Sequence, residues 1–184
     1  MHEHQGTILF TSGIVAFLSI PIWWIISNNI GKKLTWLASS AITLLALMIF
    51  YLYEIDTLME LLFLVAFIGF GSGAGGILFW SMLPDTIEYG EVHTGVRSES
   101  SLYGFMTFAQ KGSIAFAIIS LGIVLDFIGF QANEIQSDST ISSMKAIMTL
   151  IPSVGVALSL IIIYFYPIDA KMHKDLLRQL QKEN

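Results

Sequence analysis

A lysine lies deep inside a long apolar segment in the second half of the sequence. Lys111 stands nine positions into the segment that begins at Leu102, which places it roughly 13 to 14 Å from the start of a helix. If that helix crosses a bilayer, the ammonium group must face a polar cavity or pair with a carboxylate, since an isolated charge at that depth is costly. Thr107 and Gln110 lie nearby and add hydrogen-bonding groups. The three side chains predict a polar binding site or, alternatively, a structural ion pair with another helix.

An acidic stretch precedes this segment. It surrounds one arginine, Arg97, with Asp85, Glu88, Glu91 and Glu99. Asp85, Glu88 and Glu91 are spaced by three, so a helical turn would bring neighbouring carboxylates together, where they repel unless Arg97, a cation or another domain compensates. A solvated charge run is the alternative. A metal site is only weakly indicated, because His93 is the one histidine near the set.

The composition excludes several function classes. The chain has no cysteine, and therefore no disulfide and no thiolate metal site. Its formal net charge of −5 argues against a nucleic-acid partner. No nucleophile, base and orienting group can be assembled from its side chains. We therefore predict neither an enzyme nor a cofactor-binding protein, and an intramembrane enzyme remains a distant alternative.

The elements that carry these residues are long and apolar. Of 184 residues, 54% are hydrophobic and 12% charged, against about 25% charged in ordinary soluble domains. Apolar segments cover residues 7–30, 34–53, 58–83, 102–130 and 144–166, and each is long enough to cross the hydrocarbon core of a bilayer. Because a lipid-facing backbone must satisfy its own hydrogen bonds, these segments should be helices. The predicted fold is an all-α, polytopic membrane protein with five transmembrane helices.

The distribution of lysine and arginine predicts the orientation in the bilayer. Basic residues favour cytoplasmic connections, and here they lie after the first, third and fifth segments; the other connections contain only Lys145. We therefore expect a cytoplasmic loop at 84–101, a cytoplasmic tail at 167–184 and an external N-terminus. An odd number of spans with an external N-terminus and no signal sequence predicts further helices upstream.

A glycine-rich stretch lies within the third segment. Gly71 to Gly76 fits the pattern of a dinucleotide-binding loop, but its apolar, helical surroundings are wrong for one. Gly69 and Gly73 are four residues apart, which predicts close packing of a neighbouring helix or, alternatively, a bending point.

Together these motifs resemble one family. The sequence Asp85-Thr-Ile-Glu-Tyr-Gly-Glu91, followed by Thr94-Gly-Val-Arg97, Glu99 and Lys111, resembles the glycoside-pentoside-hexuronide:cation symporters of the major facilitator superfamily. The resemblance implies twelve spans in two halves, of which these five look like the eighth to the twelfth. The chain would then be a partial C-terminal half. His93 replaces a basic residue common in the family.

The resemblance also implies a function. It implies sugar uptake with Na⁺, Li⁺ or H⁺ by alternating access, in the inner membrane of a bacterium. The implied sugar-binding residues are Lys111, Gln110, Thr107 and Trp80, although Trp80 alone also suits an interface anchor. The implied cytoplasmic gate is Asp85, Glu88, Tyr89, Glu91, Arg97 and Glu99. The partners would be lipid, sugar, the coupling cation and a missing N-terminal half that holds the cation site.

Two other functions are consistent with the sequence. One is a non-transporting membrane subunit or truncated remnant that pairs with another membrane protein, which the odd number of spans suggests. The other is a facilitator that carries a different small solute.

Overall fold

A computed structural model describes residues 4–183, with side chains for residue 4 and for 6–180. Within that range the chain is helical and contains no strand, which confirms the predicted fold class. Its six helices are α1 (Gln5–Ile30), α2 (Lys32–Leu52), α3 (Leu58–Thr94), α4 (Glu99–Phe127), α5 (Asp138–Phe165) and α6 (Ala170–Glu183).

Helices α1 to α5 are each long and apolar enough to cross a membrane. Large apolar side chains cover their outer surfaces, among them Phe10, Phe63, Phe116 and Ile162, each about 70% exposed. Such a surface suits lipid rather than water as the surrounding solvent. The five predicted spans are therefore found, with boundaries that differ by a few residues in α1, α2 and α4 and by six at the start of α5.

The predicted loop at 84–101 is wrong. Helix α3 continues to Thr94 and α4 begins at Glu99, so only residues 95–98 connect them. A helix of 37 residues is roughly 55 Å long, more than the hydrocarbon core needs, so its charged last turns extend beyond the membrane. Gly95 ends α3 in the left-handed conformation, at φ +70°.

The predicted tail at 167–184 contains an additional helix. Helix α6 begins at Ala170, after a short connection in which the Asp169 carboxylate accepts hydrogen bonds from the backbone N–H groups of Lys171 and Met172. Ile168 and Leu176 are both buried. The tail therefore packs against the helical bundle instead of extending into solvent.

The glycines of α3 allow α1 and α2 to approach closely, which confirms the packing prediction. A Cβ atom added at Gly69 would lie 2.6 Å from the backbone oxygen of Ser12, and one at Gly73 would lie 2.6 Å from that of Ala16. On another face, a Cβ at Gly71 would lie 2.9 Å from the backbone nitrogen of Thr43. Helix α3 therefore occupies the centre of the bundle, between α1 and α2.

A substitution pair tests this packing. Gly69→Ala should lower the free energy of unfolding by about 1–3 kcal/mol, because the obstructing atom belongs to the backbone of α1 and cannot rotate away. Gly76→Ala is the matched control, since nothing lies within 4 Å of its added Cβ, and it should be neutral or slightly stabilising. Thermal unfolding of the two detergent-solubilised variants measures the difference. Equal stabilities would contradict the close approach of α1 to α3.

The buried core lies between α1, α3 and α5. Its centre is formed by Trp23, Ala74, Leu78, Met82 and Ile163. The indole nitrogen of Trp23 donates a hydrogen bond to the carbonyl of Phe70 at 2.7 Å, which satisfies the polar atom of a ring that is only 3% exposed. Helix α4, in contrast, has no buried residue within the described part of the chain.

Candidate functional site

An ion pair joins the start of α2 to the last turns of α3. The ammonium of Lys32 lies 2.7 and 2.8 Å from the two carboxylate oxygens of Asp85 and also donates to the carbonyl of Ser81 at 2.7 Å. The Asp85 side chain is only 7% exposed and that of Lys32 29%. Gly31, at φ +89°, separates α1 from α2 and places Lys32 at the first position of α2. This turn directs the lysine towards α3.

Helix α6 adds a histidine to the same place. Nε2 of His173 lies 3.4 Å from Oδ1 of Asp85 and 3.2 Å from Oε2 of Glu88. That Oε2 atom is buried and accepts no hydrogen bond within the described residues. We call Lys32, Asp85, Glu88 and His173 the α2–α3–α6 cluster.

The neighbouring lysine holds the end of α5. Lys33 donates to the backbone carbonyls of Tyr164 at 2.9 Å and Tyr166 at 2.7 Å. These carbonyls lie at the C-terminal end of the helix, where the helix dipole favours a cation. The Tyr166 hydroxyl lies 3.3 Å from that of Thr86 on α3. The two adjacent lysines therefore connect the start of α2 to α3 and to the end of α5, and His173 connects α6 to α3.

Arg97 belongs to a separate, exposed group. It donates to Glu91 at 2.7 Å and to Glu99. Its hydrogen bonds to Glu99, and next to Glu91, raise the pKa of the guanidinium above its usual value. Arg97 therefore pairs with one member of the acidic triplet, and Asp85 and Glu88 have Lys32 and His173 as neighbours instead. We call Glu91, Arg97 and Glu99 the Arg97 group.

The structure thus divides the six predicted gate residues between two charged groups, and the sixth residue makes an aromatic contact instead. Asp85 and Glu88 lie in the α2–α3–α6 cluster, and three others form the Arg97 group. The sixth, Tyr89, stacks on His93, with ring centroids 4.1 Å apart, and its carbonyl oxygen lies 2.8 Å from Nδ1 of that histidine. Sequence reasoning missed Lys32 and His173 as members of the site.

The predicted sugar-binding residues lie on α3 and α4. Lys111 is exposed, Gln110 and Thr107 are half-buried, and Trp80 is 40% exposed. Within residues 4–183, Lys111 forms no hydrogen bond or ion pair. Lys111 lies about 18 Å along α4 from the start of that helix. Trp80 lies about 21 Å along α3 from its end, on the other side of the 95–98 connection. The two are at similar depths, but no contact joins them in the described part of the chain.

The α2–α3–α6 cluster includes a possible metal-ligand set. One ligand atom from each of Asp85, Glu88 and His173 lies within 4.8 Å of the other two. However, the Lys32 ammonium already occupies both oxygens of Asp85. A metal ion bound there would stand beside a fixed positive charge, so the chemistry of the cluster favours ion pairing over metal binding.

Comparison with known proteins identifies related chains. The family model described as MFS/sugar transport protein matches residues 3–170. A glucuronide carrier protein homolog of Escherichia coli is 29% identical over 152 residues, which are 83% of this chain and 33% of that protein. A putative sulfoquinovose importer of the same organism is 31% identical over 157 residues, which are 84% of this chain and 33% of that protein.

A third relative, an uncharacterized symporter of Synechocystis, is 28% identical over 185 residues, 97% of this chain and 34% of that protein. The chain therefore spans about a third of the length of these relatives.

Proposed function

We propose a function from one premise: the chain belongs to the MFS/sugar transport protein family. Membership confirms the resemblance seen in the Asp85 to Lys111 motifs and, with five membrane-spanning helices, makes the chain part of a multi-pass membrane protein and not an enzyme. In our proposal it forms the C-terminal part of a sugar:cation symporter that works by alternating access between two halves.

The observation that carries the proposal is the unpaired Lys111. Helix α4 is apolar enough to cross a membrane and has no buried residue in the described chain, yet it carries an ammonium group without a partner. Facing lipid, that charge would be strongly unfavourable. The exposed surface around Lys111 should therefore face a polar cavity, which the remainder of the transporter would close.

The charge of Lys111 favours an acidic sugar as substrate. The names of the relatives refer to glucuronide and to sulfoquinovose, and these compounds carry a carboxylate and a sulfonate. A lysine in a site shielded from water would form a charge-assisted hydrogen bond with either group. Gln110 and Thr107 would bind sugar hydroxyls, and Trp80 would stack on the ring.

The two charged groups at the end of α3 have different parts in this proposal. The α2–α3–α6 cluster joins helices of the same chain, so it would hold this half together while the halves move. In the Arg97 group, the side chains of Arg97 and Glu99 are about half exposed, so these charges, with Tyr89 nearby, would be accessible to the other half and could exchange their present partners for it. Those pairs would break when the inner side opens. This end of α3 would face the cytoplasm, and the cation site would lie in the N-terminal half.

An uptake experiment in membrane vesicles tests the proposal, with this chain joined to the remaining spans of the transporter. With an inward gradient of Na⁺, Li⁺ or H⁺, a labelled hexuronide or sulfonated hexose should accumulate about 10- to 100-fold more than a neutral hexose, which is the effect of one charged hydrogen bond. Collapse of the gradient should abolish the accumulation. Equal uptake of the neutral sugar would overturn the substrate assignment. Absence of uptake of any solute would favour the non-transporting subunit.

A further inference from the structure

The α2–α3–α6 cluster is short of one positive charge. Asp85 and Glu88 contribute two carboxylates, and Lys32 contributes one ammonium that both oxygens of Asp85 share. Glu88 is left without a cation, although its Oε2 atom is buried and lacks a hydrogen-bond donor within the described chain. A buried acceptor without a donor is unfavourable. The group placed to supply the missing positive charge is His173.

His173 is in position to serve both carboxylates. Its Nε2 atom lies 3.2 Å from Glu88 and 3.4 Å from Asp85, and its side chain is 30% exposed, so water can deliver and remove a proton. While the ring is neutral, whichever nitrogen carries its proton, the cluster holds two carboxylates against the single ammonium of Lys32. When the ring takes up a second proton, its positive charge lies 3.2 Å from Glu88 and 3.4 Å from Asp85, and the charge of the cluster is balanced.

We propose that protonation of His173 beside Asp85 and Glu88 fastens α6 to the end of α3, so that acidification on this side of the membrane stabilises the packed position of α6. Proton uptake converts the imidazole of His173 to imidazolium, and proton loss to water restores it. The inference concerns the packing of α6 and goes beyond the proposed transport function.

Among the side chains that the structure describes, no other cation near the cluster substitutes for protonated His173. The ammonium of Lys32 is paired with Asp85, and that of Lys33 donates to the carbonyls at the end of α5. On α6 itself, Lys174 is exposed, and Asp175 lies 3.6 Å from Arg178. The protonation of His173 is therefore the variable part of the local charge balance.

Apolar contacts keep α6 near the bundle in either state. Leu176 and Ile168 are each only 4% exposed, and a Cβ added at Gly31 would lie 2.9 Å from that of Ala170. Loss of the proton should therefore loosen α6 without releasing it completely. A graded change in the accessibility of its buried face is the expected observation.

The absence of cysteine from the sequence makes this accessibility directly measurable. Leu176→Cys places a thiol on the buried face of α6, and Gln179→Cys places one on the exposed face of the same helix. Dividing the maleimide labelling rate of the first by that of the second corrects for the general effect of pH on thiolate formation. The ratio is measured in detergent-solubilised protein at about pH 5 and about pH 8, the ends of the range in which histidine side chains commonly change charge.

The labelling ratio should rise about three- to tenfold from the acidic to the alkaline condition, which is the range for a partly exposed charged hydrogen bond. His173→Gln and Glu88→Gln should each abolish the pH dependence. A ratio that does not change with pH would overturn the proposal, as would a pH dependence that persists in His173→Gln. If Leu176→Cys does not fold, Ile168→Cys provides a second buried reporter. Because the readout requires no transport, its outcome is independent of the proposed function.

Discussion

Replacing Lys32 with methionine should destabilise the protein by about 2–4 kcal/mol, somewhat less than the removal of one partner from a fully buried ion pair. Methionine keeps most of the side-chain volume but leaves the Asp85 carboxylate, 7% exposed, without its cation. The carbonyl of Ser81 also loses a hydrogen-bond donor. Because the Lys32 side chain is 29% exposed, water can enter its place and solvate the Asp85 carboxylate in part, which reduces the loss of stability. Thermal unfolding of detergent-solubilised protein measures it.

The control for this prediction is the adjacent residue. Lys33→Met removes two hydrogen bonds to backbone carbonyls but leaves no buried carboxylate unpaired, so a loss of about 1 kcal/mol is expected. The double variant Lys32→Met/Asp85→Asn should recover most of the stability, since it removes both charges. Equal effects of the two lysine changes, or a double variant as unstable as the sum of its parts, would contradict the buried ion pair.

Replacing Lys111 with methionine should reduce uptake of an acidic sugar by about 100-fold, near the upper end of the range for a charged hydrogen bond, while the unfolding temperature stays constant or rises. The two effects separate because Lys111 has no partner in the described chain, so its removal breaks no contact, and an apolar side chain is preferred within a membrane-spanning helix. Uptake into vesicles at matched protein levels, with thermal unfolding of the same samples, measures both.

Lys145→Met provides the comparison for Lys111. Lys145 lies on α5 and donates to the backbone carbonyl of Tyr53, far in sequence from the predicted binding residues. Its replacement should leave uptake unchanged. Lys111→Arg should retain more uptake than Lys111→Met, because the charge is kept although the geometry of its donors changes. A destabilised Lys111→Met protein would favour the structural ion pair that the sequence left open.

The helices were predictable because the bilayer imposes simple rules. Apolar length alone located α1 to α5, and the spacing of Gly69 and Gly73 located the face of α3 that contacts α1. Apolar length failed as a guide at 84–101, because the first charged residues were taken to mark the end of the third helix. In fact α3 extends past the apolar core as a continuous helix to Thr94, and polar residues are as compatible with helix as apolar ones once outside lipid.

The partners within the site were less predictable. Lys32 was expected on the same side of the membrane as Asp85, so a pair between these two residues was possible from the sequence. Which of Lys32, Lys33 and the basic residues of the tail pairs with Asp85 depends on the turn at Gly31. No sequence pattern predicts the geometry of that turn. His173 was missed because the tail was read as a charged end, although buried Ile168 and Leu176 indicate a helix that packs on the bundle.

The central claim is that the Lys111 ammonium binds the acidic group of a transported sugar. Its most direct test is the binding of a glucuronide and of its neutral methyl ester to the complete transporter that contains this chain, as wild type and as Lys111→Met. The wild type should prefer the acid about 10- to 100-fold, and the variant should bind the two equally. A preference for the acid that is unchanged in Lys111→Met would contradict the claim.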